Sequence, residues 1–89
     1  LHRYCRYPLK AFFVSELTHA SETHECDIRC AISKSIKNKC ALVFVCSGLD
    51  AGEYSILWNL TNSYDHIIIT NCDEFASKIE MAKSISASL

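Results

Sequence analysis

The stretch from Glu53 to Met81, EYSILWNLTNSYDHIIITNCDEFASKIEM, sets the tightest limits on the fold. Three short apolar segments are separated by Asn/Ser and Asn-Cys-Asp, residues whose side chains hydrogen-bond nearby backbone and so favour turns. Strands joined by such turns predict an antiparallel meander. In the first segment Tyr54, Ile56, Trp58 and Leu60 share one face at period two, while Ser55, Leu57, Asn59 and Thr61 share the other. Ile67-Ile68-Ile69 is apolar on both faces, as in the central strand of a covered sheet. The third segment reads two ways. Phe75, Ser77, Ile79 and Met81 alternate as a strand would, whereas Phe75, Ile79, Ala82 and Ile85 fall at helical spacing.

Upstream, Cys40-Ala-Leu-Val-Phe-Val-Cys46 is the clearest strand in the chain. Cys40, Leu42, Phe44 and Cys46 point one way and Ala41, Val43 and Val45 the other, so the strand is expected to be covered on both sides. Ser15 is a plausible N-cap with Glu16 beside it. Leu17, Ala20, His24, Ile28, Ala31 and Ile32 then follow at helical spacing. A helix from Ser15 to the mid-thirties is expected, with a break near Cys26 because Ser21 to Glu25 contains weak helix formers. The opening LHRYCRYPLKAFF suits an edge strand carrying Tyr4 and Cys5 and ending near Pro8. The expected architecture is a single α+β domain over residues 1–89, with one main helix packed on an antiparallel sheet of four or more strands. Its core would hold Leu17, Ala20, Ile28, Val43, Phe44, Trp58, Ile67, Ile68 and Ile69.

Six cysteines in 89 residues, Cys5, Cys26, Cys30, Cys40, Cys46 and Cys72, make a disulfide-stabilised secreted domain the expectation. A chain of this size gains from such help, since each bridge contributes about 2–4 kcal/mol. Six cysteines allow fifteen pairings, and spacing does not select among them. The chain begins at Leu1 with no apolar leader, which suggests a mature form, and no apolar run approaches a membrane span. Cys26 and Cys30, with His19 and His24 nearby, invite a metal reading. Their spacing matches no usual zinc pattern and no second Cys-x-x-Cys pair exists, so the two cysteines read as disulfide sulfurs, and no metal or cofactor is expected.

Nine basic against ten acidic residues give a net charge of −1 and no global attraction to nucleic acid or anionic membrane. Locally, Arg3, Arg6 and Lys10 could meet phosphates while Tyr4 stacks on a base; their plainer reading is as solvated charges and a packing aromatic. Two glycines leave no phosphate-cradling loop. Asp65-His66 is an acid–histidine pair whose side chains would point to opposite faces of a strand, so it does not form an acid/base dyad. Asn59-Leu60-Thr61 is a glycosylation sequon, of consequence only in a eukaryotic secretory pathway. Loops 47–53 and 61–65, together with the exposed face of the main helix, are the expected binding surface.

Tyr4-Cys5 on a first strand, Ser15-Glu16-Leu17 opening a helix, Trp58 on the next strand and Asp65-His66-Ile67-Ile68-Ile69 on the one after form an ordered pattern. In this order the chain resembles the fungal guanyl-type ribonuclease fold, and more closely the ribonuclease-like secreted effectors of powdery mildew fungi. The resemblance implies a carboxylate base on the tryptophan strand, an arginine on the following strand and a histidine acid on the one after. Leu57, His66 and Met81 occupy those places. Leucine and methionine cannot transfer protons, and His66 would keep only a partial phosphate contact. What the resemblance implies is therefore a pseudoenzyme: a secreted virulence effector, delivered into the host cell, without catalysis or cofactor. It would act as a monomer by binding a host protein, with recognition by a plant immune receptor, weak RNA binding and no membrane contact. The family ties its N-terminal cysteine to one near the C-terminus; here the resemblance would give Cys5 a partner such as Cys72. An alternative is a secreted toxin domain resembling the α/β-sandwich killer toxins, in which Asp73 caps a helix running to Ile85. An active nuclease using Glu53, Glu80 and His66 is a third reading, disfavoured by the neutral charge balance.

Overall fold

The computed structural model describes residues 12–20 and 24–89. Strands and helices alternate: β1 (Phe13–Leu17), α1 (Glu25–Asn38), β2 (Leu42–Cys46), α2 (Ala51–Thr61), β3 (Ile67–Thr70) and α3 (Phe75–Ser88). The three strands form one sheet in the order β1-β2-β3, and both pairs are parallel, with Val43 opposite Val14 on one side and Ile68 on the other. Antiparallel pairing in four or more strands is thereby corrected, among the described residues, to parallel pairing in three. The physical reason lies in the connections. Each strand is followed by a helix rather than a tight turn, and a helical crossover returns the chain to the same end of the sheet.

The largest revision concerns residues 51–61, expected as a strand and found as α2. Asp50 and Glu53 close a reciprocal cap: the Glu53 amide donates to Asp50 Oδ1 at 2.8 Å and the Asp50 amide donates to Glu53 Oε1 at 3.2 Å. Leu57 and Thr61, one turn apart, are buried, and the Thr61 hydroxyl donates to the Leu57 carbonyl at 2.8 Å. The alternation of Tyr54, Ile56, Trp58 and Leu60 is thus incidental. Trp58, expected in the core, is 53% exposed.

Ser15 stands in the middle of β1, opposite Phe44, so it caps no helix. α1 begins ten residues later in the chain, where Glu25 and Asp27 lie in its first turn and Lys37 in its last, each favourable to the helix dipole. Its end is a tight stop. The amide of Lys39 donates to the Ile36 carbonyl at 3.1 Å and that of Cys40 to the Ser35 carbonyl at 3.0 Å, with Lys39 in the left-handed region at φ 54°. For residues 75–88 the helical reading is the one found, capped at Glu74 rather than Asp73. The Glu74 amide donates to Asn71 Oδ1 at 2.9 Å, a side-chain turn that ends β3.

β2 is central and buried along its whole length, as its two apolar faces predict, whereas Ile67–Thr70 forms an outer strand of the described sheet. On one face Leu42, Phe44 and Cys46 pack with Ile28 and Ile32 of α1 and Leu57 of α2. Flanking Phe13, Leu17, Ile67 and Ile69 extend that layer. On the other face Ala41, Val43, Val45 and Ile68 meet Ala82, with Phe75 and Ile85 beside it. Of the expected core, Ala20, Ile28, Val43, Phe44 and Ile68 are buried, while Leu17, Ile67 and Ile69 are partly buried.

No disulfide joins the described cysteines: Cys26, Cys30, Cys40, Cys46 and Cys72 are all free. Cys26, Cys30 and Cys72 are exposed, while Cys40 and Cys46 bracket β2 from opposite ends and are separated by its length. Burial pushes the Cys46 thiol up to about 11, so it stays protonated and behaves as a small apolar side chain. The two-sided core of β2 takes the place the bridges were expected to fill. Cys5 and the edge strand expected at Tyr4-Cys5 lie outside the described residues.

Candidate functional site

In an open parallel sheet, ligands bind beyond the carboxyl ends of the strands, where successive helices depart to opposite faces. That condition is met between β2 and β3, because α2 packs on one face and α3 on the other. Ser47 Oγ and Cys72 Sγ stand 3.0 Å apart across this crevice. Gly48, at φ 81°, turns the chain away from β2 with open space where a side chain would project.

The amino end of α2 is closed to ligands by its own cap. The second Glu53 oxygen, Oε2, accepts from the Ala20 amide at 3.0 Å and lies 3.6 Å from His19 Nδ1. Backbone donors at Ala20 and Asp50 hold the Glu53 carboxyl below its ordinary value, against a smaller opposing effect of desolvation and with some help from His19. The His19 and His24 rings stack at 6.0 Å. Glu53 therefore clasps the segment after β1 to the start of α2. With both oxygens occupied in the charged form, it is not placed to act as a general base. Glu80, the other carboxylate considered for catalysis, lies on the surface of α3 paired with Lys83 at 3.3 Å.

At the opposite end of the sheet the fold joins two residues far apart in sequence. His66 Nε2 lies 2.8 Å from Ser35 Oγ, and the Ser35 hydroxyl donates to the Ile32 carbonyl at 2.7 Å. The Ser35 hydroxyl thus lies within hydrogen-bond reach of both the Ile32 carbonyl and the imidazole, and the direction of the bond to His66 follows the tautomer of the ring. Tyr64 meets the imidazole edge-on at 5.8 Å. Partial burial lowers the affinity of His66 for a second proton, and neighbouring Asp65 opposes that effect. Ser35 is fully buried, so this hydroxyl–imidazole pair anchors the histidine without offering a nucleophile. The signal for it was present in the sequence: Ser35 falls on the same helical stripe as Ile28 and Ile32, and a buried hydroxyl must find a partner.

A third surface is the outward side of α2. Tyr54 and Trp58, one turn apart, are 45% and 53% exposed. Glu53 is the only charged residue in the helix, and it is turned towards Ala20.

Of the residues singled out for binding, His66 is partly buried at the start of β3, whereas Arg3, Tyr4, Arg6 and Lys10 lie outside the described residues. The expected binding loop 47–53 divides into a loop at 47–50 and the first turn of α2. Leu57, His66 and Met81 fall on α2, before β3 and on α3, so the strand register that related them to ribonuclease positions is absent. Among the described residues no three His, Cys, Asp or Glu side chains gather as a metal site, and no helix is long and apolar enough to cross a membrane. No family model matches the chain, and neither the curated proteins nor the solved structures contain a match.

Proposed function

We propose that the chain is a non-catalytic binding domain whose outward α2 face, centred on Tyr54 and Trp58, docks on a protein. The observation that carries this reading is the exposure of both aromatics on a helix that presents no outward charge. Tyrosine and tryptophan dominate binding hot spots because each buries a large rigid surface while losing little side-chain entropy. A polyanion would require cations, and an interfacial membrane helix typically carries lysine or arginine on its polar face; α2 has neither. The apolar, uncharged surface of a protein partner fits. Catalysis is not part of the proposal because Ser35, Cys46 and Glu53 each hold their reactive atoms buried or engaged.

A secreted effector acting on a host protein, recognised by an immune receptor, remains a proposal within this class of partner. Its support is the aromatic face alone, since the free thiols withdraw the disulfide argument for an oxidising compartment. The test is a paired capture from candidate host extracts with the parent chain and a Tyr54→Ala/Trp58→Ala variant, followed by titration of the purified partner. We expect the variant to keep its melting temperature and lose affinity by at least about tenfold, the usual consequence of removing a hot spot. Equal binding by the two chains would overturn the assignment, and binding that vanishes at moderate salt would indicate a charged ligand instead.

A further inference from the structure

We infer that a second copy of this chain docks on the outer edge of β1, giving a dimer whose two-fold axis passes beside Ser15 and between the two α1 helices. Among the described residues no strand lies on that side of β1. Successive residues of a strand direct their backbone groups to alternate sides. The Phe13 amide donates to the Ala41 carbonyl at 2.9 Å, so Phe13, Ser15 and Leu17 serve the pairing with β2. Val14 and Glu16 therefore turn their amides and carbonyls outward, and the Val14 side chain is 47% exposed. An open edge of this kind is a template for a further strand.

The neighbouring helix identifies the occupant. The edge of β1 and one flank of α1 together line a groove of about 570 Å³, to which α1 contributes Asp27, Cys30, Ala31 and Lys34. The acid stands at one end of this flank and the base two turns along at the other, with two small side chains between them. Solvated in the single chain, Asp27 and Lys34 have no ion-pair partner among the described residues, whose ion pairs join His19 to Glu53, Arg29 to Glu25 and Lys83 to Glu80. Such a flank is complementary to itself when reversed. A two-fold axis across β1 sets α1 antiparallel to its copy, so Asp27 meets Lys34 of the second copy at both ends, while Cys30 and Ala31 meet in the middle. The same axis lets Val14 exchange hydrogen bonds with Glu16 of the second copy. It also sets Phe13 beside the copy's Leu17, extending the apolar layer that both residues flank.

This surface is separate from the outward face of α2 and stands or falls without it. The experiment is sedimentation equilibrium of the full chain under reducing conditions, at several concentrations and salt levels. A reversible dimer that weakens with salt is expected. Lys34→Asp and Asp27→Lys each set like charges against one another at both ends and should raise the dissociation constant at least about tenfold. Mixed in equal amounts, the two variants should form heterodimers at close to the parent affinity, because every pair across the axis is again opposite in sign. Damage to α1 alone would not be rescued by mixing. Val14→Pro, which removes an outward amide and spares the bonds to β2, should weaken the dimer by a similar factor. Trp58→Ala should leave association unchanged. A chain that stays monomeric up to about 1 mM, a pair of variants that fails to associate on mixing, or a dimer lost in Trp58→Ala would each overturn the assignment.

Discussion

α1 and α2 pack on the same face of the sheet, and they are alike on the inside and opposite on the outside. Each inserts aliphatic side chains into one shared layer: Ile28 and Ile32 from α1, Leu57 from α2, all against Leu42 and Phe44. Outward, α1 carries Asp27, Arg29, Lys34 and Lys37, a solvated face of mixed charge. α2 carries Tyr54 and Trp58 in the corresponding role. An amphipathic helix is completed by one core and water, whereas a helix apolar on most sides needs a second surface. The difference separates what the fold requires of these helices from what α2 offers beyond it.

If the inward halves are equivalent, truncating them should cost alike. Leu57→Ala and Ile32→Ala are each expected to destabilise by about 2–5 kcal/mol in urea unfolding, the range for buried aliphatic truncations. A cost for Leu57→Ala far below that of Ile32→Ala would break the equivalence. The amino ends should differ next. α2 is closed by its Asp50–Glu53 cap, whereas the cap position of α1, His24, makes no side-chain capping hydrogen bond. Asp50→Ala should therefore cost about 1 kcal/mol.

The same cap predicts a pH dependence. The folded state holds the Glu53 carboxyl below its ordinary value of 4.5, so the unfolded chain binds its proton first as pH falls. Stability from this group is complete above 4.5 and lost as pH drops from there through the folded value. Glu53→Gln should flatten that part of the acid limb in a series of melts. An unchanged acid limb would show that the clasp to Ala20 contributes nothing. Smallest of all are the outward changes. Arg29→Ala removes an exposed pair with Glu25 at 2.7 Å and should cost about 0.3–0.5 kcal/mol, less at high salt. Trp58→Ala should change stability by no more than about 0.5 kcal/mol while altering binding.

Where burial decides the pattern, the sequence was legible. Cys40–Cys46 reads as a doubly covered strand and Ile28/Ile32 as a buried stripe, and each lies accordingly, whereas Ile67–Ile69 reads as a central strand and lies at the outside of the described sheet. Residues 53–61 mislead because their apolar positions satisfy period two as well as a turn of helix, and Asp50-Ala-Gly-Glu53, the cap that decides between them, lies in a stretch that reads as a loop. Once α2 became a strand, antiparallel pairing followed. Two strands apolar on both faces pointed the other way, since such strands characterise parallel sheets layered between helices. The cysteine count misled for a different reason: an even number states a capacity for bridges, while bonding needs Cβ atoms within about 4.5 Å. His66 was legible as a residue of interest, but its link to Ser35 joins elements 31 positions apart and no local pattern carries it.

The burial of β2 along its whole length has a consequence for how the chain reaches this structure. Phe13 must find Leu42, and Leu42 must find Ile67, across intervening helices, so neither ladder can form by local zippering. Closing such loops is entropically slow, and until they close Ala41-Leu-Val-Phe-Val-Cys46 is an uncharged, β-prone segment with both edges open. Refolding yield should therefore depend on protein concentration, the same strand that organises the native sheet being the one that templates association when its neighbours arrive late.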